Sequence, residues 1–360
     1  MKRIGNLYEL VYDKDTIRRA IKEASKGKRK RRDVKKILRD EETYVRKLHK
    51  MLKKEKFIPA PYVFDTILDG SQNKQREILK PKFYPDQVVH WCVYLVIRDH
   101  IYPKMYSISC GSIPGRGVHY GKHFVEKWVR DDRKNTKYYM QLDVTKFYQS
   151  IKPDKLMEKL RRKFKDEKLL SLLEDILYMS DGLPIGMLLS QVFANFFASD
   201  IDFYIKQDLK AVHYIRYMDD MVIFGRNKKE LHKMRKQIAS RLRQDGLTLK
   251  SNWKICRFDK EPLDFMGFRF YRDHTALRKS IMLRISRKAR KVGRKGKFAT
   301  NTDACSIISY MGWISHSDSY GFFMRWVKPY ISIRRMKNII RRSQCEKVPK
   351  RKHSQTSGVG

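Results

Sequence analysis

Acidic residues are scarce in this sequence. The 360-residue chain carries 39 Asp plus Glu against 81 Lys plus Arg, a formal net charge of +42. A chain this basic repels itself unless a polyanion neutralises it, so nucleic acid is the first partner class and an anionic membrane surface the second. Cysteine is also scarce. The five residues (Cys92, Cys110, Cys256, Cys305 and Cys345) are odd in number and widely spread, and no CxxC pair occurs. That pattern excludes a zinc ribbon and a disulfide framework and predicts reduced thiols in a cytoplasmic protein. No run of 18 apolar residues exists, so no transmembrane helix is expected. The opening segment, MKRIGNLYEL, lacks the apolar core of a signal peptide. No internal repeat is visible. What the chain does have is apolar material, 41% hydrophobic and 12% aromatic residues. That is enough for a true core and two or three domains.

The pattern along the chain predicts an α+β protein. The first sixty residues read as basic helices, one capped by Asp15, running to Ala24 and broken at Gly27. Residues 26–36 (KGKRKRRDVKK) read as a surface loop that contacts phosphates. Short β-rich segments with Pro and Gly follow, then a helix over 87–101 capped by Asp86. Strands are predicted over 137–144, 211–217, 221–224 and 265–270, and a helix over 228–245, where Leu231, Met234, Ile238 and Leu242 have helical spacing. The last part reads as helical and very basic, with 21 Lys plus Arg and 3 acids from residue 278 onward. The final residues read as a disordered tail.

Three blocks carry chemistry. Tyr217-Met218-Asp219-Asp220 sits between two β-forming runs. Adjacent acids in the turn of an apolar hairpin raise each other's pKa or need a cation, and a hard divalent metal prefers such oxygen ligands. Asp143 ends another β-rich run and is followed by Val144, Thr145, Lys146, Phe147 and Tyr148. An acid at the end of a buried strand is costly without a partner or a metal. Asp143 and Asp219 are 76 residues apart. If their strands are sheet neighbours, the carboxylates converge on a two-metal site for in-line phosphoryl transfer. The third block, Gly182 to Gln191 (GLPIGMLLSQ), is a Gly/Pro loop feeding an apolar helix, where backbone can approach a ligand closely.

In this order the blocks resemble the reverse transcriptases over most of the chain, roughly residues 6–320. The resemblance implies a right-hand polymerase fold. Its parts would be a basic N-terminal helical region (1–60), fingers (61–137), a palm (138–272, with a fingers segment near 152–185), a helical basic thumb (273–342) and the tail (343–360). It implies an RNA-directed DNA polymerase that uses two magnesium ions, or manganese, held by Asp143, Asp219 and Asp220. Lys254 would protonate pyrophosphate. Lys74, Arg76, Val144, Phe147, Tyr148 and Gln191 would bind the nucleotide, with Tyr148 excluding a ribose 2′-hydroxyl. Phe265, Met266 and Gly267 resemble the primer grip. Lys28, Arg29, Lys30, Arg31, Arg32, Arg116, Arg287, Lys288, Arg290 and Lys291 would contact nucleic acid.

The subgroup most resembled is that of the diversity-generating retroelements of bacteria and phages. Ser190 before Gln191, the opening NLYEL, Gly115 to His119, and Ser309 to Trp313 with His316 carry that likeness. Met187-Leu188-Leu189 departs from it, because the group usually shows a polar Asn-Leu-Thr there. The implied partners are template RNA, primer and cDNA, dNTPs and a small basic accessory protein, with no membrane. Related bacterial anti-phage defence enzymes share much of the pattern. A non-catalytic RNA-binding protein would explain the charge but not the acids at apolar strand ends.

Overall fold

The computed structural model describes residues 3–69 and 74–345. Most of the expected disordered tail, from residue 346 onward, lies outside the described residues. The chain divides into two compact units, Met1–Arg257 and Phe258–Gly360.

Four helices open the first unit: α1 (Tyr8–Tyr12), α2 (Lys14–Ser25), α3 (Arg32–Arg39) and α4 (Glu41–Lys53). Asp13, not the expected Asp15, caps α2. Its carboxylate accepts from the Thr16 amide at 2.9 Å, while Asp15 already lies inside the first turn. Only the residue before the helix has the backbone conformation that turns its side chain onto that amide. The basic run is not a single loop either. Residues 26–31 form turns and the rest enters α3, because Val34 and Ile37, three apart, bury one helical face.

Next come an antiparallel hairpin, β1 (Phe64–Asp69) and β2 (Lys74–Leu79), and the core helix α5 (Val88–Ile101). Asp86 does not cap α5. It is buried in the preceding turn, where its Oδ1 accepts from the Ala60 amide at 2.9 Å. The remaining elements are β3 (Ser109–Cys110), α6 (Val118–Asp131), β4 (Tyr138–Asp143), α7 (Phe147–Ser150), α8 (Pro153–Lys163), α9 (Glu167–Leu177), α10 (Leu188–Phe203), β5 (Tyr214–Tyr217), β6 (Asp220–Gly225), α11 (Lys228–Gln244) and β7 (Lys254–Arg257). The sheet order is β3-β5-β6-β4-β7, with only the β3/β5 pair parallel. Helix α10 packs against α5, α7, α8 and α11 and buries Leu189, Phe193, Phe197 and Ile201, a four-residue spacing. Each such side chain contributes roughly 1.5–3 kcal/mol on burial. The core therefore lies beneath the sheet and leaves the tips of β4, β5 and β6 at its edge.

The second unit holds a three-stranded antiparallel sheet of β8 (Leu263–Phe265), β9 (Phe268–Phe270) and β10 (Thr275–Leu277). Four helices follow: α12 (Lys279–Lys295), α13 (Asn301–Ser315), α14 (Tyr320–Trp326) and α15 (Ile333–Cys345). The single strand expected over 265–270 is two strands, folded back at Met266-Gly267 so that Phe265 faces Phe268. These strands fall in the second unit, although the sequence places them before a boundary at 272. Their pairing with β10, and Phe268 against Trp313 of α13 at 5.3 Å, hold them there. Asp303 ties α12 to α13, accepting from Lys288 at 2.8 Å and Lys295 at 2.7 Å. Among the described residues, no helix is long and apolar enough to cross a membrane.

Candidate active site

The β5–β6 hairpin turns through Met218 and Asp219, with Tyr217 facing Asp220 across the ladder. Met218 has φ 56°, a conformation that costs a side-chain-bearing residue about 1 kcal/mol or more and that a hairpin normally assigns to glycine. Contacts on both sides hold it. Its amide donates to the Cys110 carbonyl at 3.1 Å, and its carbonyl accepts from Arg216 Nη1 at 2.9 Å. Gly111, at φ 86°, makes room, because a Cβ there would lie 2.9 Å from Met218 Cγ.

Beneath this turn lies a buried polar network. Arg216 and Asp202 are 1% and 0% exposed. Arg216 Nε and Nη2 donate to the Asp202 carboxylate at 2.8 and 2.7 Å, and Nη1 donates to Asn195 Oδ1 at 2.9 Å. Tyr214 and Ser109 hydroxyls complete the Asp202 shell at 2.7 and 2.6 Å. Asn195 Nδ2 returns to the Gly111 carbonyl at 3.0 Å. Buried charges persist only when paired and fully hydrogen-bonded, and this pair is. The network joins β3, β5, α10 and the turn into one rigid support. No sequence motif announces this network. The available signal was one Arg inside a β run (HYIRY) and one Asp inside an apolar helix (SDIDF), each needing a partner.

Above the support sit the acids. Asp143 ends β4 and is the register partner of Asp220 at the start of β6, so these two share a face. Asp219 faces Asp143. Burial first, and then the Asp143 charge, raise Asp219 above the usual carboxylate range. Lys250 answers both acids. Its ammonium is bonded to Asp143 Oδ2, and its charge partly offsets the rise at Asp219. Asp143 Oδ1 is buried with no hydrogen-bond partner. An all-oxygen donor set, an orphaned carboxylate oxygen and a mutually repelling acid pair fit a hard divalent cation held by Asp143 and Asp219. Among the described residues, no three His, Cys, Asp or Glu side chains are gathered closely enough to hold a metal ion.

Lys250 and Asp219 line a cleft of about 530 Å³ that also exposes Arg76 and Gln75 from β2, Val144, Lys146, Phe147, Tyr148 and Ile185. The β1–β2 hairpin, the loop after β4 and the acidic turn thus meet at one cavity. Burial, and then the Asp219 charge, push the Tyr148 phenol up to about 12, so it stays protonated. Its backbone carbonyl accepts from the Leu183 amide at 2.9 Å, which ties its main chain to the Gly/Pro loop.

A carboxylate pair at a strand end and a hairpin turn thus lies beside a cleft with an arginine and a tyrosine. The model of the family described as reverse transcriptase (RNA-dependent DNA polymerase) matches residues 84–270, more than half of the chain. The chain belongs to the reverse transcriptase family. A curated relative, the Retron Ec73 reverse transcriptase of Escherichia coli, is 29% identical over 173 residues, covering 42% of this chain and 54% of the relative. The chain therefore spans about half the length of the curated relative it matches. The solved structure of apo telomerase from Candida tropicalis is similar with a TM-score of 0.51 at 13% identity, covering 80% of this chain and 59% of that one. That likeness shows the right-hand polymerase fold.

The other residues implied by the family resemblance are more scattered. Lys254 begins β7 opposite Gln141, with its ammonium 5.7 Å from the Tyr139 ring centre, and Lys250 stands at the acids instead. The reason is local. The Lys250 amide donates to the Asp143 carbonyl at 2.8 Å, which fixes that residue beside the acid. Gln191 is exposed on α10 and does not line the cleft. The side chain of Lys74 lies outside the described residues. Arg116 is half-buried and donates to the Tyr106 carbonyl at 3.0 Å, holding its own loop. Lys28 donates to Gln87 Oε1 at 2.5 Å, whereas Arg29, Lys30, Arg31 and Arg32 are exposed. On α12 of the second unit, Arg287 and Lys291 are exposed. Lys288 is committed to Asp303, and Arg290 lies 5.8 Å from the Trp326 ring centre. Phe265 and Met266 are buried, with Gly267 beside them in the β8–β9 turn.

Proposed function

We propose that this reverse transcriptase makes cDNA on an RNA template by nucleotidyl transfer at Asp143 and Asp219. The observation that carries this reading is the facing pair Asp143 and Asp219, of which Asp219 lines a cleft walled by Arg76 and Tyr148. Arg76, a planar fork, is suited to the triphosphate of an incoming dNTP. Tyr148 packs where a ribose 2′-hydroxyl would sit and selects deoxynucleotides by bulk. Asp143 and Asp219 would hold the catalytic cations, two magnesium ions or manganese, with Asp220 supporting them from the paired strand. When bound, these ions supply charge for the attacking 3′-hydroxyl and the leaving pyrophosphate. Lys250 lies beside Asp143 and is placed to give a proton to the leaving group, the role the resemblance assigned to Lys254. Template RNA, primer and cDNA are the nucleic-acid partners, bound through the exposed basic residues, and residues 265–267 are the primer-grip residues of the resemblance.

The retroelement setting is the finer part of the proposal. Ser190 before Gln191 supports a diversity-generating retroelement, with a small basic accessory protein as partner. The retron relative favours a second reading, a bacterial defence enzyme. Sequencing the cDNA made from RNA flanking the gene decides between them. Substitutions concentrated at template adenines support diversification, and faithful copies of a structured RNA support the second reading. Primer extension on an RNA template tests the activity itself: incorporation that survives Asp219→Asn contradicts it.

A further inference from the structure

Helix α11 carries seven Lys and Arg against one acid, Glu230. Its inner face is apolar. Leu231, Ile238 and Leu242 are buried in the core with Met140 and Leu142 of β4 and Met221 and Ile223 of β6. Side chains alternate along a strand, so Asp143 and Asp220 stand on the other face of the sheet. Gly225 marks the same facing, because a Cβ there would lie 3.1 Å from Leu231 Cγ. The outer face of α11 is therefore turned away from the acids, with the sheet and a helix about 10 Å across in between.

That outer face is a row of cations. Lys229, Lys233, Lys236 and Arg243 are exposed and fall on one side of the helix. From first to last they span about 21 Å at the rise of an α-helix. Among the described residues, no acid pairs with any of the four. On α8 of the same unit the pattern differs, because Arg161 and Arg162 are answered by Glu174 and Glu158. Like charges three and four residues apart destabilise a helix, and Lys229 stands in the first turn, where the helix dipole also disfavours a cation. The row thus works against the fold, and what it fits is an anion from outside. Ser240 and Gln244 are also exposed on that side, which leaves no apolar stripe for a membrane. On the flank, the half-buried Trp253 ring packs against the core, and the Arg235 guanidinium covers it at 4.3 Å. A ring so covered is no platform for an unpaired base. A straight, rigid row of cations without a free ring suits the phosphates of a duplex.

We propose that the outer face of α11 docks base-paired RNA lying outside the copied hybrid, with phosphates on Lys229, Lys233, Lys236 and Arg243. A structured RNA then holds the back of the first unit by one helical segment while another segment is copied at the acids. The coupling to copying, and the choice of RNA over another duplex, rest on the polymerase reading, while the docking surface does not.

The test uses the full chain loaded with one equivalent of an unlabelled primer–template, and a labelled blunt RNA hairpin whose binding is read by anisotropy without dNTPs. Lys229→Ala with Lys236→Ala and Arg243→Ala should weaken hairpin binding roughly tenfold and flatten the slope of log K against log salt by about 2.7, or 0.9 for each lost phosphate contact. Alanine is the best helix former, so this triple variant keeps α11. The charge-keeping triple, Lys229→Arg with Lys236→Arg and Arg243→Lys, should restore both quantities. An unchanged slope, an equal loss in the two triples, or displacement by oligoglutamate as effective as by duplex RNA would overturn the surface. A DNA hairpin bound as tightly as the RNA one overturns the choice of RNA. In primer extension, the alanine triple should raise the KM for a template carrying the hairpin roughly tenfold and leave that for an unstructured template unchanged; equal effects on the two templates overturn the coupling to copying. If the wild type incorporates nothing but the alanine triple flattens the slope, the surface stands and the polymerase falls. Normal incorporation with an unchanged slope does the reverse.

Discussion

Lys250 meets Asp143 twice: its amide donates to the Asp143 carbonyl at 2.8 Å and its ammonium bonds the Asp143 carboxylate. The lysine is thus a fixed cation beside two facing acids. Removing it leaves the acids to repel each other unless a metal intervenes. Lys250→Ala should melt roughly 2–4 °C below the wild type in chelator, about 1 kcal/mol of lost pairing, and recover with added magnesium. Thermal unfolding with and without the metal checks this. A deficit that magnesium does not change would mean that the lysine and the cation do not share the site.

Asp202→Asn should cost about 3–5 kcal/mol, because it leaves the Arg216 guanidinium buried without its counter-charge. Chemical denaturation of the full chain reads the loss. Arg216→Met with Asp202→Leu should recover much of that stability but not the activity, since the double variant removes the donor that holds the Met218 carbonyl.

Gly111→Ala forces a Cβ to within 2.9 Å of Met218 Cγ at a φ of 86°. The turn must shift, and Asp219 with it. The rate constant for incorporation should fall tenfold or more with little change in dNTP KM, because Arg76 and Tyr148 stand on other segments. Single-turnover primer extension separates the two quantities.

How much of this could be read from the chain alone follows from distance along it. Asp143, Asp219 and Asp220 are legible because each sits at the end of its own β-forming run, and a buried acid there asks for a partner. The support beneath them is not, because Ser109, Asn195, Asp202 and Arg216 come from three segments and each looks like an isolated polar residue in apolar surroundings. Lys250 is illegible for a related reason. Four residues decide which lysine faces the acid, and the backbone bond to Asp143 that settles the register is a long-range contact. The cap at Asp13 rather than Asp15 and the break at Met266-Gly267 are shifts of one or two residues that local patterns leave open.

Tyr148 lines the cleft with its phenol protonated. Tyr148→Ala should raise the ratio of ribonucleotide to deoxynucleotide incorporation by tenfold or more in primer extension. An unchanged ratio would remove it as the group that reads the sugar.

Asp132 gives a pH signature away from the active site. Burial opposes its charge, but the Asn135 amide and side chain and then His213, at 2.9 Å, outweigh that and bring it down to about 2. A carboxylate depressed in the folded state adds stability above its unfolded pKa, and the contribution is lost as pH falls from about 4 towards 2. Asp132→Asn should therefore lose less stability than the wild type across that window, while its stability near neutral pH is lower. Melting curves at stepped pH check the sign.

The central claim is that Asp143 and Asp219 form the polymerising centre. Primer extension on an RNA template with dNTPs and magnesium, comparing the wild type with Asp219→Asn at matched RNA affinity, addresses it most directly. The account predicts cDNA from the wild type and at least a thousandfold less from the variant, with RNA binding within about twofold. Comparable cDNA from both proteins would contradict it.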